Sequence, residues 1–365
     1  MRLTTAIAVV VGVAIARGAA FGVRRSDARA SNSTTNPSHR TENLSAAAAY
    51  LEQRTAWWEA WPAAQRDHGT VCVSCHTTLP FALARSAIGG NVSPVERRLF
   101  ESVTMRVRTW NGVAPYYASR PGDGRKAAES RGTEAVLNAL ILADRDAREG
   151  VLSSDARTAF DRMWELQQAD GAWPWLRFDL NPWEGPESAY FGAALAALAV
   201  GSAPASYRST PAIDAHARRL RSFLAANYAR QPLANRAAAL WAASKLPDAI
   251  DGERRAALTT ELARAQRRDG GWSLEALQAP SLRTWFSASD GYATALAALA
   301  LMPTEARDTA ARGVAWLARN QDASCGCWRA PSLNATRDPR SDAAPFMTDA
   351  ATGFAVLALK AGYVR

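Results

Sequence analysis

The sequence predicts an all-α protein, an α6/α6 barrel made of six helical hairpins, and three observations carry that expectation. Gln167-Gln168-Ala169-Asp170-Gly171-Ala172-Trp173 and Gln266-Arg267-Arg268-Asp269-Gly270-Gly271-Trp272 share the pattern Q-x-x-x-G-x-W, and Gln321 to Trp328 repeats it with one extra residue before Gly326. Each copy follows an apolar helical stretch and leads through a turn-rich loop to an Ala/Leu-rich helix, so one unit is helix, turn, loop, helix. The residues that open the second helices, His76, Glu134, Glu187, Asn235, Asp290 and Asp349, lie 58, 53, 48, 55 and 59 residues apart. Finally, the second helices are apolar nearly all round while the first ones carry an Arg-rich outer stripe, as an inner and an outer ring require. Hairpins with apolar faces bury them by stacking, and closure into a ring leaves no end unit exposed.

Along the chain, Met1-Arg2 is a short positive start, Leu3 to Ala16 an apolar run, and small residues follow through Gly18-Ala19-Ala20. That pattern reads as a secretory signal peptide over 1–20, and its apolar run of about 14 residues falls short of the roughly 20 that a spanning helix needs. The expectation is a bacterial protein exported to the periplasm or beyond, with no transmembrane span after cleavage. Residues 21–44, rich in Ser, Thr, Asn and Arg, read as a disordered leader, and 45–365 as the barrel. First helices are expected over Ala46–Ala64, Pro94–Arg108, Ala156–Gln168, Ile213–Tyr228, Glu253–Arg268 and Arg307–Asn320. Second helices follow at Thr77–Ile88, Ala135–Leu142, Tyr190–Ala199, Ala237–Ala243, Tyr292–Leu301 and Phe354–Leu359. Pro80 falls in the first turn of its helix, where proline is tolerated.

The 365 residues, 48% hydrophobic and 21% charged, exclude a disordered chain and suffice for a large core. A formal net charge of +9 raises nucleic acid as a partner, but the lysines are only Lys126, Lys245 and Lys360 and the arginines are scattered without a dense run. The charge is therefore read as Arg on the outer helices, with no nucleic-acid role.

Cys72 and Cys75 flank two residues and are followed directly by His76. Cys-Val-Ser-Cys-His is the C-x-x-C-H pattern of covalent heme c attachment. Two thiols at this spacing each add to a vinyl group on one side of the macrocycle, and the adjacent imidazole reaches the iron. The expectation is one covalent heme c per chain on Cys72, Cys75 and His76, with Met105 as candidate second iron ligand. A Cys72–Cys75 disulfide is the bland alternative. Cys325 and Cys327 are expected as a disulfide or as free buried thiols rather than as a metal site. The acidic residues Glu134, Glu187, Asp290 and Asp349 are candidate catalytic groups at the barrel mouth, although helix capping accounts for the same residues. Trp175, Phe178, Trp183, Trp285 and Phe286 are candidates to wall that mouth.

The Q-x-x-x-G-x-W turns, extended upstream of Gln321 by Arg312-Gly313-Val314-Ala315-Trp316-Leu317, resemble the QW motifs of the squalene-hopene cyclase and prenyltransferase repeat superfamily. The resemblance spans about residues 130–365. It implies that Gln167, Trp173, Gln266, Trp272, Gln321 and Trp328 tie each outer helix end to the next turn. The superfamily's catalytic motifs are missing: there is no Asp-x-Asp-Asp or Asp-Cys-Thr-Ala-Glu cluster, and no Cys or His placed after Asp290 or Asp349 to complete a prenyltransferase zinc set. The leading expectation is thus a toroid that uses heme c for electron transfer, or for chemistry on a hydrophobic small molecule in the barrel, with a redox partner. The alternatives are a squalene or isoprenoid cyclase drawing its acid from Glu187, Asp290 or Asp349, and a non-catalytic scaffold for a lipid or protein.

Overall fold

A computed structural model of the chain describes residues 37–118, 124–278, 288–334 and 337–363, with side chains from Leu44 to Gly362. The expected signal peptide, most of the leader, and Trp285 and Phe286 lie outside the described residues. Six outer helices are present, α1 (Pro37–Ala60), α3 (Pro94–Arg108), α5 (Ser154–Glu165), α7 (Pro211–Asn227), α9 (Gly252–Ala265) and α11 (Arg307–Arg319). They alternate with six inner helices, α2 (Thr78–Ile88), α4 (Arg125–Asp146), α6 (Ser188–Ser202), α8 (Leu233–Ala243), α10 (Gly291–Leu301) and α12 (Phe346–Tyr363). One-turn helices at Ala205–Arg208 and Leu274–Leu277 sit in connections.

Each inner helix packs on the next, and α12 packs back on α2, so the inner ring is closed. The outer helices lie against this ring: α1 on α2 and α12, α3 on α2 and α4, α5 on α4, α7 on α6, α9 on α8 and α10, and α11 on α10 and α12. The inner sequences explain the arrangement: Tyr190 to Val200 on α6 and Gly291 to Leu301 on α10 are buried on every side, which only a helix with neighbours all round allows. The outer helices start at clear caps. Ser93 accepts from the Glu96 amide and Glu96 answers with its carboxylate, with Pro94 in the first turn, and Ser153 and Asp251 cap α5 and α9 by accepting from the amides of Ala156 and Arg254.

Three boundaries differ from expectation. α1 begins at Pro37, ahead of the 44/45 boundary. α4 begins at Arg125, so Glu134 lies well inside it rather than opening it. The early start is supported by Lys126 and Arg125, which pair with Glu129 at three- and four-residue spacing. α12 begins at Phe346, which places Asp349 in its first turn.

The three QW turns share one geometry. Trp173, Trp272 and Trp328 are almost wholly buried, and their indole N–H groups donate to the carbonyls of Met163, Leu262 and Leu317 near the outer helix ends at 2.6, 2.8 and 2.8 Å. Gln167 and Gln266 each donate to the carbonyl of the motif glycine and to a carbonyl of the next outer helix, His216 or Thr309. Gln321, in the last copy, donates to the Gly326 carbonyl. Gly171 needs its residue type twice over: its φ is +98°, and a Cβ there would stand 2.1 Å from the Arg219 carbonyl.

Candidate functional site

The Cys72–His76 segment is fixed locally before it meets the rest of the barrel. Cys72 N donates to the Ala64 carbonyl, and the Trp58 indole donates to the Cys72 carbonyl at 2.7 Å. The Ser74 hydroxyl accepts from the amides of Thr77 and Thr78, turning the chain into α2. This leaves both thiols pointing into the core, buried and unbridged. Burial pushes the Cys72 thiol up to about 12 and the Cys75 thiol well above its ordinary range. Both are therefore protonated and poor nucleophiles in the folded chain.

His76 lies in an aromatic nest. Its ring stacks on Phe346 with centroids 3.8 Å apart, meets Trp58 edge-on at 5.0 Å and faces Trp183 at 6.0 Å. Trp57 and Trp61 extend the nest behind them. Burial, helped by the Arg54 charge, pushes the imidazole down to about 3, so it is neutral.

The tautomer follows from one hydrogen-bond chain. Thr77 Oγ1 donates to Asp349 Oδ2 at 2.8 Å, so it can only accept from His76 Nδ1–H, 2.9 Å away. Asp349 is held as the acceptor by Arg54, whose Nε lies 2.9 and 3.1 Å from its two oxygens, and by the Tyr50 hydroxyl at 2.7 Å. Burial raises the Asp349 carboxyl, and the Arg54 charge and these donors draw it back. Nδ1 thus carries the proton and Nε2 the lone pair, with no hydrogen-bond partner for Nε2 among the described residues. A neutral imidazole anchored through one nitrogen and open at the other is the form that ligates a metal.

The acidic candidates separate. Glu134, fully buried, is ion-paired with Arg106 at 2.5 Å and with Arg131 at 3.2 Å, and Arg106 also reaches Thr70 and the Ala114 carbonyl. This network joins α3 and α4 and is structural. Asp290 caps α10 by accepting from the amides of Ala293 and Leu274, and burial pushes it up to about 7 against those donors. Glu187 is exposed beside α8, accepting from Gln231 through its carboxylate and from Asn235 through its carbonyl. Of the four carboxylates, Asp349 reaches His76, and it does so through Thr77.

Met105 also departs from expectation. It is 41% exposed on the solvent face of α3, while its neighbour Arg106 points inward, so α3 does not present it to the nest. Among the mouth aromatics, Trp183 joins the nest, Trp175 is buried against Gly192, and Phe178 is exposed. Cys325 and Cys327 form a disulfide. Among the described residues no group of three or more His, Cys, Asp or Glu side chains gathers as a metal site.

One residue was not anticipated. Glu184 is partly buried, has no ion pair or side-chain hydrogen bond among the described residues, and its charge acts on both Cys72 and Cys75. Burial pushes it up to about 7, with only Lys126 opposing. The loop turns it inward, since Leu180 and Glu184 bond each other's backbones and Trp175 donates to the Trp183 carbonyl. The acidic residue whose charge acts on both paired cysteines thus lies more than a hundred residues away in sequence.

No family model matches the chain, and no curated protein matches it. Solved structures do. A glycosidase variant in complex with glucose aligns with a TM-score of 0.53 and 13% identity over 88% of this chain and 98% of its own. The type II terpene cyclase MstE from Scytonema, without ligand, aligns with a TM-score of 0.52 and 14% identity over 90% of this chain and 100% of its own. At such identity the likeness carries the α/α-toroid fold alone.

Proposed function

We propose that the chain is the apoprotein of a covalent heme c protein, exported by its N-terminal segment, with a terpene-cyclase-like toroid as scaffold. The observation that carries the reading is the state of His76: neutral, anchored at Nδ1 through Thr77 and Asp349, and open at Nε2, one residue after two free thiols. Cys72 and Cys75 would hold the macrocycle as thioethers, and His76 Nε2 would hold the iron. When bound, such a heme would exchange single electrons or take a small ligand at its iron.

The residues of the chain then have separable tasks. Asp349, fixed by Arg54 and Tyr50, orients the imidazole and raises the basicity of Nε2. Trp58, Trp183 and Phe346 exclude water from the imidazole and keep it neutral. The protonated, buried thiols of the folded chain point to attachment before the barrel closes, while Cys72 and Cys75 are exposed and their thiolates accessible. Met105 faces solvent on α3 and is not assigned as a second iron ligand, which leaves that position for a small ligand or an outside partner's contact.

Absorbance of protein matured in an exporting host with heme-attachment machinery tests the reading. The expected result is a Soret band and a heme-stained band that persists on a denaturing gel, lost together in Cys72→Ala/Cys75→Ala. Absence of both bands, with Cys72 and Cys75 freely alkylated after denaturation, would overturn it.

A further inference from the structure

The inner helices open at their C-terminal end, away from His76, onto a cavity of about 560 Å³. Its wall is made of Leu83, Leu140, Leu198, Trp241, Leu299 and Leu357, one side chain from each inner helix. Its rim carries Arg148, Lys245 and Lys360 against a single carboxylate, Asp144. Two of the chain's three lysines therefore stand at one opening, in a sequence whose other strong cations are all arginines.

The two lysines are not equivalent. Lys245 Nζ donates to Asp144 Oδ1 at 3.2 Å and to Ser202 Oγ at 3.0 Å. The Lys360 side chain has no ion pair or hydrogen bond among the described residues. An apolar well with a net positive rim suits a ligand that is hydrocarbon along most of its length and singly negative at one end. The volume lies within the roughly 300–1,000 Å³ of small-molecule sites. A neutral hydrocarbon would fill the well and leave Lys360 unpaired, whereas a carboxylate gives it a charge-assisted hydrogen bond.

We propose that this cavity binds a single-chain amphiphile with a carboxylate head, a long-chain fatty acid in chemical class. The tail lies among the six inner-helix side chains, and the carboxylate meets Lys360 with Lys245 behind it. The site is independent of the heme, since it occupies the other end of the ring. One opposing field has to be overcome: the carbonyl ends of the inner helices place partial negative charge at this end. A cationic head group therefore tests the sign of the rim directly.

The experiment is calorimetric titration of the full chain with laurate below its micellar range, beside dodecyltrimethylammonium at the same chain length. Laurate is expected to bind one per chain, and the ammonium at least tenfold more weakly. Lys360→Gln is expected to weaken laurate at least fivefold, and Leu357→Trp, which fills the well from a partly exposed position, to remove binding while the circular dichroism stays native. Equal or tighter binding of the ammonium, or laurate binding unchanged in both variants, would overturn the proposal.

Discussion

At the scale of single residues, Glu184 sets a measurable pH dependence. Its carboxyl is held near 7 in the folded chain and titrates near 4.5 when unfolded, so the folded state binds more protons between those values. Stability on its account is complete below about pH 4.5 and falls as pH rises to about 7, by at most about 3 kcal/mol before solvent screening reduces it. Glu184→Gln is therefore expected to stabilise the chain at pH 8 and change little at pH 4.5. Urea unfolding of both proteins across that range checks it, and a difference independent of pH would count against the placement of Glu184. The sequence showed the Cys72–His76 segment because its spacing is local. It hid Glu184, whose surroundings depend on a loop folding inward, and it hid the Thr77–Asp349 link, which joins residues 272 positions apart. Met105 failed as a candidate for the opposite reason: closeness in sequence put it on a helix whose register turns it to solvent.

At the scale of elements, the QW turn is a tie with two separable strands. The buried indole of Trp272 lies against Gly313 of α11 and bonds the Leu262 carbonyl of α9, while Gln266 bridges the turn to α11 through the Thr309 carbonyl. Trp272→Ala leaves a large cavity and is expected to cost about 3–5 kcal/mol. Gln266→Ala is expected to cost about 1–2 kcal/mol, because the carbonyls it releases lie near solvent. Thermal unfolding of the two variants distinguishes packing from hydrogen bonding as the larger part of the tie; equal losses would contradict the assignment. The twelve helices were legible because apolar periodicity and repeated turns state them directly. The starts of α4 and α12 were not: the first turn of α4 is charged and stabilised by pairs such as Lys126 with Glu129, and that of α12 rests on packing of Phe346 against His76 from another element.

At the scale of the whole molecule, the ring closes where α12 meets α2, and the candidate site is built on that seam. Tyr50 and Arg54 from α1, Asp349 from α12 and Thr77 before α2 meet only when the first and last hairpins dock. Gly353 makes the docking close: a Cβ there would stand 2.4 Å from the Pro80 Cβ and 2.8 Å from its carbonyl. Overpacking of this kind costs typically about 1–3 kcal/mol. Open repeat arrays lose an end unit first when one contact is weakened, whereas a closed ring has no end unit to lose. Gly353→Ala is therefore expected to lower the melting temperature of the entire barrel in one transition, with helix content and tryptophan fluorescence changing together. It is also expected to expose the His76 nest, since Phe346 and Asp349 sit on the helix that Gly353 holds in place. An early partial transition that frees the terminal hairpin and leaves most of the helix intact would show instead that the seam is an ordinary contact between neighbours, and that the His76 chain of hydrogen bonds does not depend on closure.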